Sequence, residues 1–454
     1  MLKQWSIAEV CALVNGQCHA PDPELRIAAI ATDSRKVGAG DLYVALSGER
    51  FNGHDFIAAA AEQGAVAALV DQDVAVDGIA LIRVADCLTA LGELAGANRA
   101  VFTGPVISVT GSAGKTSVKQ LMSSVLSVKY NTWMTQGNLN NHIGAPLSLL
   151  AINKQHEAAV IELGASGLGE IGYTAKWVKP QVGIITNAAE AHIEGFGSLE
   201  GIVQTKGELL DFIQPGGTAV LNADDVFYSQ WAQRAQALKQ ISFGLSESAD
   251  VRATDISADL TGCRFMLHLA GESVQVTLPL LGLHNVRNAL AVAAAASAIG
   301  MTPTEIAQGL AAAEAVGGRL QWVKGQAGQR ILNDAYNANP ASMKAAVDVL
   351  KNATSSWLVI GDMAELGSDE LALHADVGRY AREQEIKHLI ATGPRCQQAT
   401  EAFGAGAHWF ATKEEVVRFL QQKTSDQDVI LVKGSRSAGM DQVVHALRGN
   451  TEEY

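Results

Sequence analysis

Two different spacings of apolar residues alternate along the middle of the chain. Short runs of apolar, often β-branched residues are followed by segments in which apolar residues recur three and four positions apart. The runs predict strands at 105–109, 158–163, 182–187 and 219–222. The segment after Thr116 predicts a helix with one apolar stripe, formed by Val118, Leu121, Met122, Val125 and Leu126. This alternation predicts a mostly parallel sheet that is covered by helices.

The pattern divides the chain into three parts and predicts an α/β fold with three domains. Residues 1–84 contain a short helix, short strands and turns, a helical segment over 55–64 and a strand over 66–70, which predict a small α/β N-terminal domain. Residues 85–316 are predicted to form a central P-loop ATPase-like parallel sheet with helices on both faces. Residues 317–454 are predicted to form a Rossmann-like α/β domain, with strands at 357–360, 388–392 and 429–433.

Two features interrupt this regular alternation. Turns and short alternating runs over 254–279 predict an antiparallel excursion of the central sheet, and an alanine-rich helix is predicted over 286–299. Gly317 and Gly318 are predicted to form a hinge before the last domain.

Composition narrows the class of protein. Of 454 residues, 48% are hydrophobic and 18% are charged, which is enough for a large buried core. A formal net charge of −13 disfavours nucleic acid or an anionic membrane as partner. The five cysteines include no Cys-x-x-Cys pair, which favours reduced thiols and argues against structural zinc. The chain has neither a membrane-span pattern nor a signal-peptide pattern, so we expect a soluble, cytoplasmic protein.

Residues 106–117 carry the strongest chemical signal. They read as an apolar strand, a glycine-punctuated turn and the start of an amphipathic helix, with the pattern Gly-x-x-Gly-Lys-Thr. Such a turn directs backbone N–H groups inward, places a helix N-terminus at an anion, and adds a lysine for the outer phosphates and a hydroxyl for Mg²⁺. An ordinary strand–helix turn with an exposed lysine is the alternative. The predicted nucleotide-binding residues here are Gly111, Ser112, Ala113, Gly114, Lys115, Thr116 and Ser117.

Other polar residues follow the predicted strands, where ligands of parallel sheets bind. Glu162 ends a buried run and is placed to hold Mg²⁺, although a carboxylate in a cap or an ion pair would have the same position. His192 lies a few residues past another strand, but a structural hydrogen bond is the more common role for a lone histidine. Lys206 lies on a predicted helix and, taken alone, is most simply a surface lysine.

The second half of the chain adds further candidates. Asn285 and Asn288 are three residues apart and share a helix face, so they could bind an adenine edge or cap the helix. Arg319 suits bidentate phosphate contact, and Asp334 could bind ribose hydroxyls. Lys433 and Arg436 place two cations after a predicted strand.

Taken together, these segments resemble the Mur ligases, ATP-dependent amide-forming enzymes of peptidoglycan synthesis. The match covers nearly the whole chain in order. Within the family it is most similar to the members that add D-alanyl-D-alanine, through Asp334-Ala-Tyr-Asn-Ala-Asn-Pro, residues 361–367 and Lys433-Gly-Ser-Arg. Two departures are Asn52, where the family often has Asp, and Asp441, where Glu is usual.

The resemblance implies ATP and two Mg²⁺ ions. One ion would be held by Thr116 and Glu162, and the other by His192 and a carbamylated Lys206. It also implies catalytic roles for Lys115, Glu162, His192, Lys206 and Arg319, and contacts of Asn285, Asn288, Arg319 and Asp334 with the nucleotide.

The implied substrates are UDP-N-acetylmuramoyl-tripeptide and D-alanyl-D-alanine, which would be joined through an acyl phosphate. The resemblance also implies a monomer whose last domain closes over ATP. The implied substrate-binding residues are Ser34, Arg35, Asn138, Asn140, Asn141, Ser166, Tyr336, Asn337, Lys433 and Arg436. Alternative hypotheses are another Mur ligase that adds a single amino acid, a folylpolyglutamate-synthase-like ligase, a nucleotide-switched binding protein and a small-molecule kinase.

Overall fold

The apolar runs form three β-sheets, each built from a separate stretch of the chain. The computed structural model describes residues 1–18, 20, 22–48, 51–189 and 193–448. Five strands lie within 17–83, nine within 106–278 and six within 321–433. The predicted α/β class is confirmed.

The first sheet is mostly parallel and small. In chain order its region contains α1 (Ile7–Leu13), β1 (Gln17–Cys18), β2 (Ile30–Ala31), β3 (Leu42–Val44), α2 (Ile57–Glu62), β4 (Ala67–Val70), β5 (Ala80–Arg83) and α3 (Cys87–Ala100). The strand order is β1-β5-β4-β3-β2, and among the strand pairs of the described residues β1–β5 alone is antiparallel. The helix predicted over 55–64 is shorter, because a 3₁₀ turn occupies residues 53–56.

The central sheet has nine strands in the order β14-β13-β12-β11-β10-β9-β6-β8-β7. Its region contains β6 (Val106–Thr110), α4 (Lys115–Leu126), β7 (Thr132–Met134), α5 (Gly144–Leu150), β8 (Ala158–Glu162), α6 (Glu170–Val178), β9 (Val182–Ile185), α7 (Ile193–Phe196), α8 (Leu199–Gly207), β10 (Thr218–Asn222), α9 (Tyr228–Arg234), β11 (Lys239–Gly244), β12 (Val251–Asp259), β13 (Gly262–Leu269), β14 (Glu272–Leu278), α10 (Leu283–Ala298) and α11 (Pro303–Ala311). Strands β6–β12 pair in parallel, and β12–β14 form the predicted antiparallel excursion.

Helices cover both faces of this sheet. Alternate residues of β6 and β8 pack against α4 and α10 on one side and against α3, α5 and α6 on the other. Because both faces are buried, the strands are apolar along their whole length, which is why they could be predicted from the sequence. The alanine-rich helix begins at Leu283, three residues earlier than predicted, because Gly282 adopts a φ of 88° and starts the helix there.

The third sheet has the order β15-β16-β20-β17-β18-β19, and only the β15–β16 pair is antiparallel. Its region contains β15 (Gln321–Lys324), β16 (Arg330–Asp334), α12 (Pro340–Leu350), β17 (Ser356–Ile360), α13 (Glu370–Glu383), β18 (His388–Thr392), α14 (Gln397–Phe403), β19 (Ala407–Phe410), α15 (Lys413–Lys423), β20 (Val429–Lys433) and α16 (Asp441–Leu447). Its two faces bury separate apolar clusters. Within the described ranges, no helix has both the length and the apolar character that a membrane span requires.

Candidate active site

A cavity of about 400 Å³ lies between the central and third sheets, at the carboxyl ends of β6 and β8. Both sheets contribute to its wall, so it forms only when the two parts of the chain come together. Among the predicted site residues, those that line it are Ser112, Ala113, Gly114, Lys115, Thr116, Ser117, Asn138, Asn140, Glu162, Asn285, Asn288, Arg319, Asp334, Tyr336, Asn337 and Lys433.

The loop between β6 and α4 is held tightly by the residues that follow β9. Asn187 makes three hydrogen bonds to the loop. Its backbone oxygen accepts from Ser112 N–H at 3.0 Å, its Oδ1 accepts from Ala113 N–H at 3.0 Å, and its Nδ2 donates to Ala113 O at 3.1 Å. Thr186 Oγ1 donates to Ala113 O at 2.6 Å. These contacts end β9 at Ile185, two residues before the predicted end. The backbone of the loop is therefore preorganised by a neighbouring strand.

Two glycines of this loop cannot carry a side chain. Gly111 has a φ of 146°, and a Cβ there would collide with Thr186 Oγ1. Gly114 has a φ of 85°, and a Cβ there would lie 2.6 Å from Asn288 Oδ1. The glycine spacing thus follows from the approach of β9 and α10 to the loop, and it leaves the N-terminus of α4 open to the cavity.

Lys115 begins α4 and folds back over the loop. Its Nζ donates to Gly111 O at 2.7 Å. Burial lowers the pKa of Lys115, the carboxylate of Glu162 acts in the opposite direction, and the guanidinium of Arg319 lowers it further. Two cationic groups therefore converge on one end of the cavity, where they would attract a polyanion.

Glu162 lies at the end of β8 and is 2% exposed. Its Oε1 accepts from Thr116 Oγ1 at 3.1 Å and from Asn140 Nδ2 at 2.8 Å. Its Oε2 is buried and accepts no hydrogen bond from any described residue. A hydroxyl and a carboxylate side by side form the oxygen-rich donor set that a hard divalent cation prefers.

Lys119 is a residue of this site that the sequence analysis missed. It lies one helical turn after Lys115 on α4, and its Nζ is 3.5 Å from Glu162 Oε2 with both side chains buried. Burial lowers the pKa of Lys119, while Glu162 raises it. The spacing of four residues from Lys115 is the signal that could have indicated it.

Arg319 lies on the third-sheet side of the cavity and contacts Thr116, one of the two candidate metal ligands. Its Nη2 donates to Thr116 Oγ1 at 3.1 Å, and its guanidinium lies 4.6 Å from the centroid of the Tyr336 ring. Its Nε is buried with no hydrogen-bond partner among the described residues. This side chain therefore has donor capacity to spare inside the cavity.

The amides of α10 face the cavity as a linked pair. Asn288 Nδ2 donates to Asn285 Oδ1 at 3.0 Å, and Asn285 Nδ2 donates to Leu281 O at 2.9 Å. No side chain caps α10, so the helix-capping alternative for these asparagines is excluded. Across the cavity, Asp334 accepts from Leu320 N–H at 3.2 Å and pairs with Lys433 Nζ at 2.7 Å.

Lys206 lies near the C-terminal end of α8 and is 2% exposed. Its Nζ is 4.9 Å from the centroid of the Phe196 ring. Burial, helped by the nearby Lys115 charge, lowers the pKa of Lys206 to about 7. The surface-lysine alternative is therefore wrong, since this amine is buried and, with its lowered pKa, is partly uncharged at neutral pH. His192 lies outside the described residues.

Several predicted residues do not line the cavity. Arg35 is exposed and pairs with Asp33 at 2.9 Å beside Ser34. Asn141 accepts backbone N–H groups at the start of α5, and Ser166 N–H donates to Glu170. Gly111 contributes its carbonyl to Lys115, and Arg436 lies 5.9 Å from the Tyr336 ring at the periphery. The predicted residues that do not line the cavity are therefore Ser34 and Arg35 of the first-sheet region and a few residues of the other two regions.

Three family models match consecutive parts of the chain. They are the Mur ligase family catalytic domain at residues 26–120, the Mur ligase middle domain at 109–296, and the Mur ligase glutamate ligase domain at 318–436. A relative from Escherichia coli, UDP-N-acetylmuramoyl-tripeptide--D-alanyl-D-alanine ligase, is 41% identical over 98% of both chains.

Solved structures give the same result. A crystal structure of MurF from Acinetobacter baumannii superposes with a TM-score of 0.92 at 37% identity and covers 98% of this chain and 99% of that one. A MurF ligase from Thermotoga maritima in complex with ADP superposes with a TM-score of 0.82 at 26% identity, covering 92% and 96% of the two chains.

Proposed function

The chain belongs to the Mur ligase family, and we propose that it joins D-alanyl-D-alanine to the terminal carboxylate of UDP-N-acetylmuramoyl-tripeptide at the expense of ATP. The product is UDP-N-acetylmuramoyl-pentapeptide, a precursor of peptidoglycan. The observation that carries this proposal is the cavity itself. Its phosphate loop, buried carboxylate and arginine meet between two sheets, in a chain that is similar over its full length to ligases of that name.

The chemistry explains the need for ATP. A carboxylate does not react with an amine in water, because oxide is a very poor leaving group. The tripeptide carboxylate therefore attacks the γ-phosphorus, the bond to the β–γ bridging oxygen breaks, and ADP leaves. The dipeptide amine then attacks the acyl carbon and loses a proton, and phosphate leaves with the electron pair of the broken C–O bond.

The residues of the cavity supply position and charge for this transfer. The α4 N-terminus and Lys115 bind the outer phosphates, and Arg319 neutralises charge that develops on the transferred group. Asn285 and Asn288 orient the adenine, and Asp334 orients the ribose. Lys119 holds the Glu162 carboxylate in place from the opposite side of its contact with Thr116.

Two Mg²⁺ ions complete the proposed site, where they would offset the charge of the triphosphate. Thr116 and Glu162 would hold one of them. His192 and a carbamylated Lys206 would hold the other, because carbamylation turns an amine into an anionic oxygen ligand. The pKa of about 7 at Lys206 supports this modification, since only an uncharged amine attacks CO₂. The nitrogen forms a bond to carbon, releases one proton and leaves a carbamate anion.

We assign the three parts of the chain to three domains with separate roles. Residues 1–84 bind the UDP end through Ser34 and Arg35, and 85–316 bind ATP. Residues 317–454 bring D-alanyl-D-alanine and close over the nucleotide about Gly317 and Gly318. Gly318 has a φ of 74°, a backbone conformation that residues with a Cβ rarely adopt. The enzyme acts as a cytoplasmic monomer on soluble nucleotide substrates.

One assay tests the function. Phosphate release is measured with ATP, UDP-N-acetylmuramoyl-tripeptide and D-alanyl-D-alanine, and each component is omitted in turn. Release that requires all three, with a pentapeptide product by mass spectrometry, supports the ligase. Release without the dipeptide but with a stable phosphorylated product would indicate a kinase. Release with a single amino acid or with a folate substrate would indicate one of the related ligases, and slow release from ATP alone would indicate a nucleotide switch.

A further inference from the structure

Two cysteine thiols meet at the edge of the first sheet, remote from the residues that line the nucleotide cavity. Cys11 lies on α1 and Cys18 on β1, and their Sγ atoms are 2.7 Å apart. Both side chains are half-buried, so they remain in contact with solvent. The pair is therefore close enough to react internally and open enough to meet a small reagent.

The backbone between the two cysteines holds them in this position. Asn15 adopts a left-handed φ of 47°, and Gly16 N–H donates to Cys11 O at 2.8 Å, which turns the chain sharply after α1. A Cβ at Gly16 would lie 2.8 Å from Ile82 Cγ2, so this turn packs closely on β5. Cys18 then pairs with Ile82 in the β1–β5 ladder. Helix, turn and sheet pairing thus fix the two thiols against each other.

We propose that Cys11 and Cys18 form a reversible disulfide by exchange with a low-molecular-weight disulfide. The Cys18 thiolate attacks one sulfur of the small disulfide, whose S–S bond breaks and releases one thiol. Cys11 then passes its proton to the departing small thiolate as its sulfur attacks Cys18 Sγ. The S–S bond between Cys18 and the small group breaks, and the second small thiol leaves. Two cysteines are oxidised and one disulfide is reduced to two thiols. Disulfides of this kind in reducing compartments are typically transient.

The order of attack follows from the surroundings of the two thiols. Burial and the contact with Cys18 raise the pKa of Cys11 to about 12, so Cys11 remains a thiol at neutral pH. Only the thiolate is a nucleophile, so a thiol with a raised pKa is a poor first attacker, and we give that role to the other cysteine of the pair. Cys11 then acts as the resolving thiol, because it is already in contact with the sulfur that carries the adduct.

The remaining cysteines provide an internal comparison. Cys87, Cys263 and Cys396 are buried, and burial raises the pKa of each thiol. Arg395 lowers the pKa of Cys396, but burial has the larger effect, and a buried thiol that keeps its proton is inert toward exchange. The reaction should therefore select one pair from the five cysteines of the chain.

The test equilibrates the full-length protein with excess oxidised glutathione or with dithiothreitol, quenches with acid, and counts free thiols by alkylation in denaturant and intact mass. We expect five free thiols after reduction and three after oxidation, with peptide mapping linking Cys11 to Cys18, and dithiothreitol restoring all five. Five free thiols after oxidation would overturn the proposal. A disulfide or adduct at Cys87, Cys263 or Cys396 would also overturn it.

Two variants test the order of attack. Cys11→Ser should accumulate one glutathione on Cys18 as a mixed disulfide, because no resolving thiol remains. Cys18→Ser should acquire less adduct, because burial, the largest cause of the raised Cys11 pKa, remains in this variant. Equal labelling of the two variants, or labelling only in Cys18→Ser, would contradict the assignment of Cys18 as the attacking thiol. Far-ultraviolet circular dichroism of both variants confirms that each retains its fold.

Discussion

Replacing Glu162 with glutamine separates two roles of this carboxylate, the proposed binding of a metal ion and the pairing with Lys119. Glutamine keeps an oxygen that can accept from Thr116 and Asn140, so those hydrogen bonds at 3.1 and 2.8 Å survive. What disappears is the negative charge 3.5 Å from the Lys119 ammonium. The variant therefore changes charge while preserving shape.

The size of the effect follows from the burial of the ion pair. Two unit charges at this distance attract by about 5 kcal/mol at an effective dielectric constant of about 20. Breaking a buried pair from one side costs about 3–5 kcal/mol, because the remaining charge stays buried without an opposite charge. Lys119 would keep only its long hydrogen bond of 3.4 Å to Gly137 O. For a domain of the size of residues 85–316, we expect Glu162→Gln to lower the melting temperature by on the order of 10 °C.

The pH dependence has a defined sign. Burial already lowers the pKa of Lys119, and removing Glu162 lowers it further. A lysine whose pKa is lower in the folded state than in the unfolded state destabilises the fold. The loss of folding free energy is complete below the folded-state pKa and decreases to zero as pH rises to the unfolded-state pKa. Glu162→Gln should therefore lose more stability at pH 7 than at pH 9.

Differential scanning calorimetry and the phosphate assay together distinguish the two roles. In the double variant Glu162→Gln/Lys119→Met both charges are gone, so most of the lost stability should return while ATP-dependent turnover stays low. An unchanged melting temperature in Glu162→Gln would refute the structural role of the ion pair. Wild-type turnover in either variant would refute the assignment of Glu162 to Mg²⁺.

The other predictions concern the remaining parts of the site. Lys115→Ala should lower phosphate release by about 10²–10³-fold with the fold intact by circular dichroism, and normal turnover would contradict the phosphate-loop assignment. Lys206→Ala should be inactive but partly rescued by short-chain carboxylic acids, and wild-type activity without them would exclude a carbamate. With ¹³CO₂ and no added metal, a carbamate signal dependent on Lys206 should rise through pH 7, because the uncharged amine forms above its pKa of about 7; a flat profile would argue against it. Small-angle scattering should show compaction with nucleotide and muramyl substrate together, and no change would contradict closure about Gly317 and Gly318.

Much of the fold could be predicted because its central strands are buried on both faces. Continuous apolar runs identified β6, β8, β9 and β10, and the phosphate loop followed from its glycines and Lys115. Short strands with mixed exposure were missed. β7 has three residues, all of them partly buried, and β15 has four residues that alternate between partly buried and exposed. The pairing of these two strands therefore depends on the neighbouring strands rather than on their own pattern.

The candidate site was harder to predict because its contacts join distant parts of the chain. Asp334 and Lys433 are paired across neighbouring strands β16 and β20, which a single sequence does not place side by side. Arg319 reaches Thr116 from the other sheet for the same reason. The ion pair of Lys119 with Glu162 depends on how α4 packs on β8. The periodicity of the sequence indicates that α4 has an apolar stripe, but it does not indicate which strand that stripe contacts.

The most direct test of the proposed chemistry follows oxygen atoms. UDP-N-acetylmuramoyl-tripeptide with ¹⁸O in its terminal carboxylate is converted with ATP and D-alanyl-D-alanine, and the phosphate released is analysed by mass spectrometry. An acyl phosphate requires one labelled oxygen to leave with each phosphate formed. If phosphate carries no label while pentapeptide accumulates, the carboxylate is not activated by phosphorylation and the central claim is wrong.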